Sequence, residues 1–124
     1  MTTIQATAVK SLDEPDDVVD LGKGTAHLVT LGGVTFDRTV FEPGWKWSEH
    51  VKPAAGTNTC QFPHRLIVTE GTIHVLMDDG TELDLGPGDA AVIAPGHDAW
   101  VTGDVPCVVY GIDSPDQDYG KPAN

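Results

Sequence analysis

Three histidines and a cysteine carry most of the reactive chemistry in this sequence: His50, Cys60, His64 and His97. Cys60, Phe62 and His64 stand two residues apart. On a regular strand they face the same way and present a thiol and an imidazole to one space. Soft sulfur and borderline nitrogen suit Zn²⁺ or Fe²⁺, and three or four protein ligands leave a position for water or substrate. Residue type alone also allows four unrelated side chains, a lone cysteine being most often a small buried apolar group.

Aromatic residues flank these candidates. Trp45, Trp47, Phe62 and Trp100 could wall a small-molecule pocket around a few polar groups, or fill a core. Trp47, Phe62 and Trp100 are the substrate-binding candidates. Lys52 and His64 are the candidate acid–base groups, Lys52 only if it is desolvated. His27 and His74 stand outside the motifs and read as structural, and Cys107 lies in an apolar strand. No Gly-rich phosphate loop, serine nucleophile elbow or His-Glu-x-x-His helix occurs.

The elements that must position these groups are short. Fourteen Gly and 9 Pro, spread evenly, favour many strands joined by tight turns. Ala26–Leu31 reads as a strand, Gly32-Gly33 as a turn, and Val34–Phe41 as a strand. Trp45–Val51 reads as extended, and 52–58 as a loop. Thr59–Thr69 reads as a strand that Pro63 demotes locally to an edge or bulge. Thr72–Met77 and Thr81–Leu85 flank Asp78-Asp79-Gly80, whose Asp-Gly supplies the positive φ of a hairpin turn. Gly86-Pro87-Gly88 turns again, strands follow around Pro95, and Val105–Ile112 is the last. Eight to ten short strands without a helix of ten residues predict an all-β sandwich or barrel.

Bulk properties narrow the partners. The chain has 124 residues, the length of one domain. A net charge of −12 disfavours nucleic acid and anionic membrane surfaces. No apolar run approaches the roughly 20 residues of a membrane span, and the N-terminus lacks a secretory pattern. Two cysteines make no disulfide framework, so a reduced cytoplasmic protein is expected.

Two Gly-anchored segments resemble the motifs of the cupins. Gly44, five residues and His50 match the opening of the first motif. Lys52 stands at its second histidine. Counting back from Gly71 over six residues puts His64 at the usual glutamate ligand, and Cys60 four residues earlier at an alternative second-histidine position. In the second motif Gly88 leads to Ala94-Pro95-Gly96, with Ala99 at the histidine and Gly103 at the asparagine. His97, two residues before Ala99, shares its face on a regular strand. The chain thus resembles a divergent group of small single-domain bacterial cupins over residues 26–112.

That resemblance implies a double-stranded β-helix, or jelly-roll-like barrel, over 26–112, with an N-terminal arm over 1–25 and a loose tail over 113–124. It implies a metal-dependent enzyme of dioxygenase, isomerase or lyase type. Zn²⁺ or Fe²⁺ would be held by His50, His64 and His97, with Cys60, and a small organic substrate bound in the barrel. A metal-free binding or acid–base cupin is the first alternative, and a non-enzymatic sensor or dimeric scaffold the second. The resemblance also implies a homodimer.

Overall fold

Every second side chain of Cys107–Asp113 is buried, and the same period of two runs through His97–Thr102. Strands with one buried face must pair with a second layer. The computed structural model, which describes residues 6–113, contains two such layers. Its strands are β1 (Asp17–Asp20), β2 (Gly24–Leu31), β3 (Val34–Phe41), β4 (His64–Glu70), β5 (Thr72–Met77), β6 (Glu82–Leu85), β7 (Ala90–Ile93), β8 (His97–Thr102) and β9 (Cys107–Asp113). All pairings are antiparallel. A six-stranded sheet has the order β1-β2-β3-β9-β4-β7, and a three-stranded sheet the order β6-β5-β8.

The inner faces supply the core. Val68, Val75, Val109, Thr39 and Cys107 are fully enclosed, each aliphatic contributing about 1.5–3 kcal/mol on burial. Gly71, between β4 and β5, has φ 73°. A Cβ there would collide with the Pro106 carbonyl and Cys107 Cα, so only glycine lets the chain cross β9 this closely.

Four sequence expectations are corrected. Trp45–Val51 is not a strand. It leads into two helical turns, α1 (Trp47–His50) and α2 (Lys52–Ala55). Trp47, Val51 and Ala55 are four apart and all buried, so burial follows a helical period. The Asp98 carboxylate accepts from the Ser48 amide at the start of α1, and Gly56, φ 79°, ends α2. β4 starts only after Pro63 and is an interior strand between β9 and β7.

The expected N-terminal arm is partly sheet: β1 pairs with β2, and β2 itself begins at Gly24. Residues before β1 lie along the outer face, where Asp13 pairs with Arg38 at 2.7 Å and the Leu12 carbonyl accepts from His27 Nδ1 at 3.2 Å. Finally, β9 continues to Asp113. The rest of the expected tail, 114–124, lies outside the described residues.

Candidate metal centre and its pocket

Cys60 reaches the inner wall through a backbone clamp. Its N–H donates to the His97 carbonyl at 2.7 Å, and its own carbonyl accepts from Gly96 N–H at 2.7 Å. The isolated Cys60–His97 bridge therefore ties the segment before β4 to the first residue of β8. Gly96, φ 91°, makes the turn that starts β8; a Cβ there would meet Asp78 Oδ2 at 2.8 Å. His64, the first residue of β4, projects to the same place.

Cys60 Sγ lies 3.7 Å from His64 Nε2. The His64 and His97 rings meet edge to face, with centroids 5.2 Å apart. The ligating atoms of Cys60, His64 and His97 all lie within 4.8 Å of one another. His97 donates from Nδ1 to the Ala94 carbonyl at 2.8 Å. That bond fixes the tautomer and leaves the Nε2 lone pair for a ligand.

The three residues form the polar corner of a cavity of about 70 Å³ between the two sheets. Trp45, Trp47, Phe62, Leu66 and Val109 are among its apolar walls, and Thr57 and Gln61 are the other polar side chains lining it. Trp47 and Phe62 therefore stand where the aromatic candidates were expected.

The other candidates are not brought there. His50 closes α1 and turns back, its Nδ1 accepting from the Lys46 amide at 3.1 Å; it does not line the cavity. Lys52 is exposed at the start of α2. Trp100 alternates to the outer side of β8, where it packs on His74 and under the Lys46 ammonium. The aliphatic walls Leu66, Ile73, Val75, Leu85 and Ile93 escaped sequence reading as pocket residues. Their strand alternation marks them as inward-facing but not as lining an open space rather than a filled core.

No protein-family model matches the sequence, and no curated protein matches it. Solved structures do. An RmlC-like cupin from Shewanella frigidimarina NCIMB 400 superimposes with a TM-score of 0.63 at 16% identity, over 94% of this chain and 98% of that one. The chain has the cupin fold. The polyketide cyclase RemF from Streptomyces resistomycificus superimposes with a TM-score of 0.64 at 16% identity, over 91% of this chain and 82% of that one. Ectoine synthase from P. lautus gives 0.64 at 16% identity, over 88% and 79%. Cupin barrels similar to this one therefore include enzymes.

The cavity of this cupin barrel keeps its reactive groups neutral. Burial pushes the Cys60 thiol up to about 11, against the opposing hydrogen bond of the Phe62 backbone and with the charge of Asp98 adding to the rise. Burial, followed by the neighbouring His97, holds His64 down to about 3. Burial also lowers His97, against the opposing pull of the Ala94 carbonyl. Apolar walls withhold the solvation that a thiolate or imidazolium needs. A divalent cation bound there would displace the thiol proton and offset the thiolate's charge.

The donor set fits such a cation. Thiolate sulfur and imidazole nitrogen are both zinc ligands, and bond lengths of about 2.0–2.3 Å in a tetrahedral site set donors on one ion roughly 3.3–3.6 Å apart. Small side-chain adjustments close the trio from its present spread.

Proposed function

We propose that this chain is a metal-dependent cupin enzyme that acts on a small organic molecule inside the barrel. Cys60, His64 and His97 would hold Zn²⁺ or Fe²⁺, and the reaction would be of dioxygenase, isomerase or lyase type. The observation that carries this reading is the convergence of three donors from distant parts of the sequence on one corner of an apolar cavity. When bound, the metal supplies Lewis acidity or activates water or O₂. The chain's own part is to orient the imidazoles, through contacts such as His97 to Ala94, and to exclude water with Trp47 and Phe62. The enzyme neighbours support a catalytic use of the barrel, and the free, buried cysteines suit the reducing cytoplasm.

Metal analysis of tag-free protein tests the proposal. About one equivalent of Zn or Fe is expected, lost on chelation and restored by one of the two ions. Less than about a tenth of an equivalent, unrecoverable on adding either metal, would sink it.

A metal-free acid–base enzyme is the second reading, favoured by the place of His64 at the polar corner of an apolar cavity. Turnover that survives exhaustive chelation but not His64→Ala would select it. We also propose a homodimer, formed through the outer face of the six-stranded sheet. A sensor or scaffold use of that dimer predicts no turnover of any small molecule.

A further inference from the structure

The chain has seven Lys and Arg, of which six fall among the described residues. None of these lines the cavity. Lys10 pairs with Asp16, and Arg38 with Asp13. Lys23 lies against Gly44, and Lys46 sits over the outer face of Trp100. Lys52 and Arg65 are exposed. Among the described residues acidic groups are missing from the lining too: Asp98 is turned to the Ser48 and Ala99 amides, and Asp78 accepts from Thr59 outside it. Among the described residues, the polar side chains of the lining are Thr57, Gln61 and the Cys60–His64–His97 corner.

A carboxylate, phosphate or ammonium entering this space would lose its hydration and meet no side chain of opposite charge among the described residues. An aromatic or branched aliphatic body meets indole, phenyl and aliphatic walls that gain by covering it. We propose that the pocket selects an uncharged, predominantly apolar small molecule, whose single polar group is presented to Cys60, His64 and His97. The proposal rests on reading the pocket as the active site. It excludes cationic amines and multiply charged substrates such as sugar phosphates and free polyacids, because at most one anionic group could reach a cation at the Cys60–His64–His97 corner and the walls offer the other charges no partner.

Tryptophan fluorescence reads the pocket directly. Trp45 and Trp47 line it and Trp100 does not, so in Trp100→Phe every remaining indole reports from the cavity. Metal-free wild type and this variant are titrated at pH 7 with three probes of the same shape: neutral p-cresol, anionic p-toluate and cationic 4-methylbenzylamine. We expect p-cresol to saturate the signal in both proteins and to bind at least about tenfold tighter than either charged probe, the ratio given by about 1.4 kcal/mol. A charged probe binding as tightly as p-cresol overturns the proposal. So does the absence of saturation by p-cresol below about 10 mM, far weaker than an apolar fit allows. Parallel Zn²⁺ titration keeps the two readings apart. A preference for p-cresol in protein that takes up no metal removes the metal and keeps the substrate class. One equivalent of Zn²⁺ without that preference does the reverse.

Discussion

The thiol of Cys60 and the imidazoles of His64 and His97 are each held neutral by the same apolar wall, so none is of much use there as an isolated ion. Together they can offset a cation. Cys60→Ser and His97→Ala should each weaken Zn²⁺ binding by more than about 100-fold, beyond the 10–100-fold of outer-shell changes. His50→Ala should leave it unchanged, because that ring answers to the Lys46 amide. Competition titration against a chromogenic chelator measures all three, and a His50→Ala protein that loses zinc would overturn the assignment.

A second residue-scale prediction concerns Asp37 and Asp113, buried on neighbouring strands. Burial raises Asp37 to about 7, with Asp113 adding to the rise and Thr39 opposing it; burial raises Asp113 to about 6. A carboxyl whose folded pKa exceeds its unfolded 3.8 favours the fold when protonated. Its contribution is present at low pH and is lost as pH rises through about 7. His64 and His97, lowered by burial in the metal-free protein, push the other way, so the comparison must be between variants. Asp37→Asn should gain on the order of a few kcal/mol over wild type at pH 8 and little at pH 4. Urea denaturation at both values decides, and an advantage that does not grow with pH contradicts the buried-proton account.

What the sequence made readable at this scale follows from geometry. Cys60 and His64 did converge, but not as neighbours on one strand: they are four residues apart on either side of Pro63, and the bridge from Cys60 to His97 holds the thiol in place before β4 begins. His50 and His97 could not be ranked by spacing, since their separation from the site depends on how Trp45–Val51 folds.

At the scale of elements, glycine did most of the organising. Gly71 and Gly80 share a left-handed backbone, φ 73° and 91°, but not the same surroundings. Gly80 has open space around a would-be Cβ, whereas Gly71 faces the Pro106 and Cys107 backbone. Gly80→Ala should therefore cost only the left-handed penalty of about 1–2 kcal/mol. Gly71→Ala should cost that and the displacement of β9 as well, more than about 3 kcal/mol. Equal shifts in denaturation midpoint would show that the close approach to β9 carries no stability. Turns of this kind, at Gly32-Gly33, Asp78-Asp79-Gly80 and Gly86-Pro87-Gly88, made the strand order of most of the barrel legible. Trp45–Ala55 was not, because Trp45 and Trp47 mimic strand alternation while the helical spacing of Trp47, Val51 and Ala55 crosses the Pro53 that argued for a loop.

The molecule as a whole is strongly acidic, and two copies of it repel unless they meet where carboxylates are missing. The outer face of the β9-β4-β7 part of the six-stranded sheet provides such a place, clear of Asp13 over β3 and Asp20 on β1. Its outward positions are Val108, Tyr110 and Ile112 on β9, Arg65 and Ile67 on β4, and Ala90 and Val92 on β7, with Glu70 at the border. Val92 is 78% exposed and Ile112 48%, a large apolar exposure for one face. A second copy brings an equally apolar, carboxylate-poor face, as a two-fold interface requires. Light scattering at about 50 µM, a concentration at which a micromolar dimer is populated, should give twice the 13.1 kDa chain mass. Ile67→Lys with Val92→Lys should return the monomer mass with little change in thermal midpoint, since both side chains project into solvent within one copy. A wild-type monomer at that concentration would refute the dimer. A double variant that remains dimeric would move the interface elsewhere, leaving this face to be explained by a different partner.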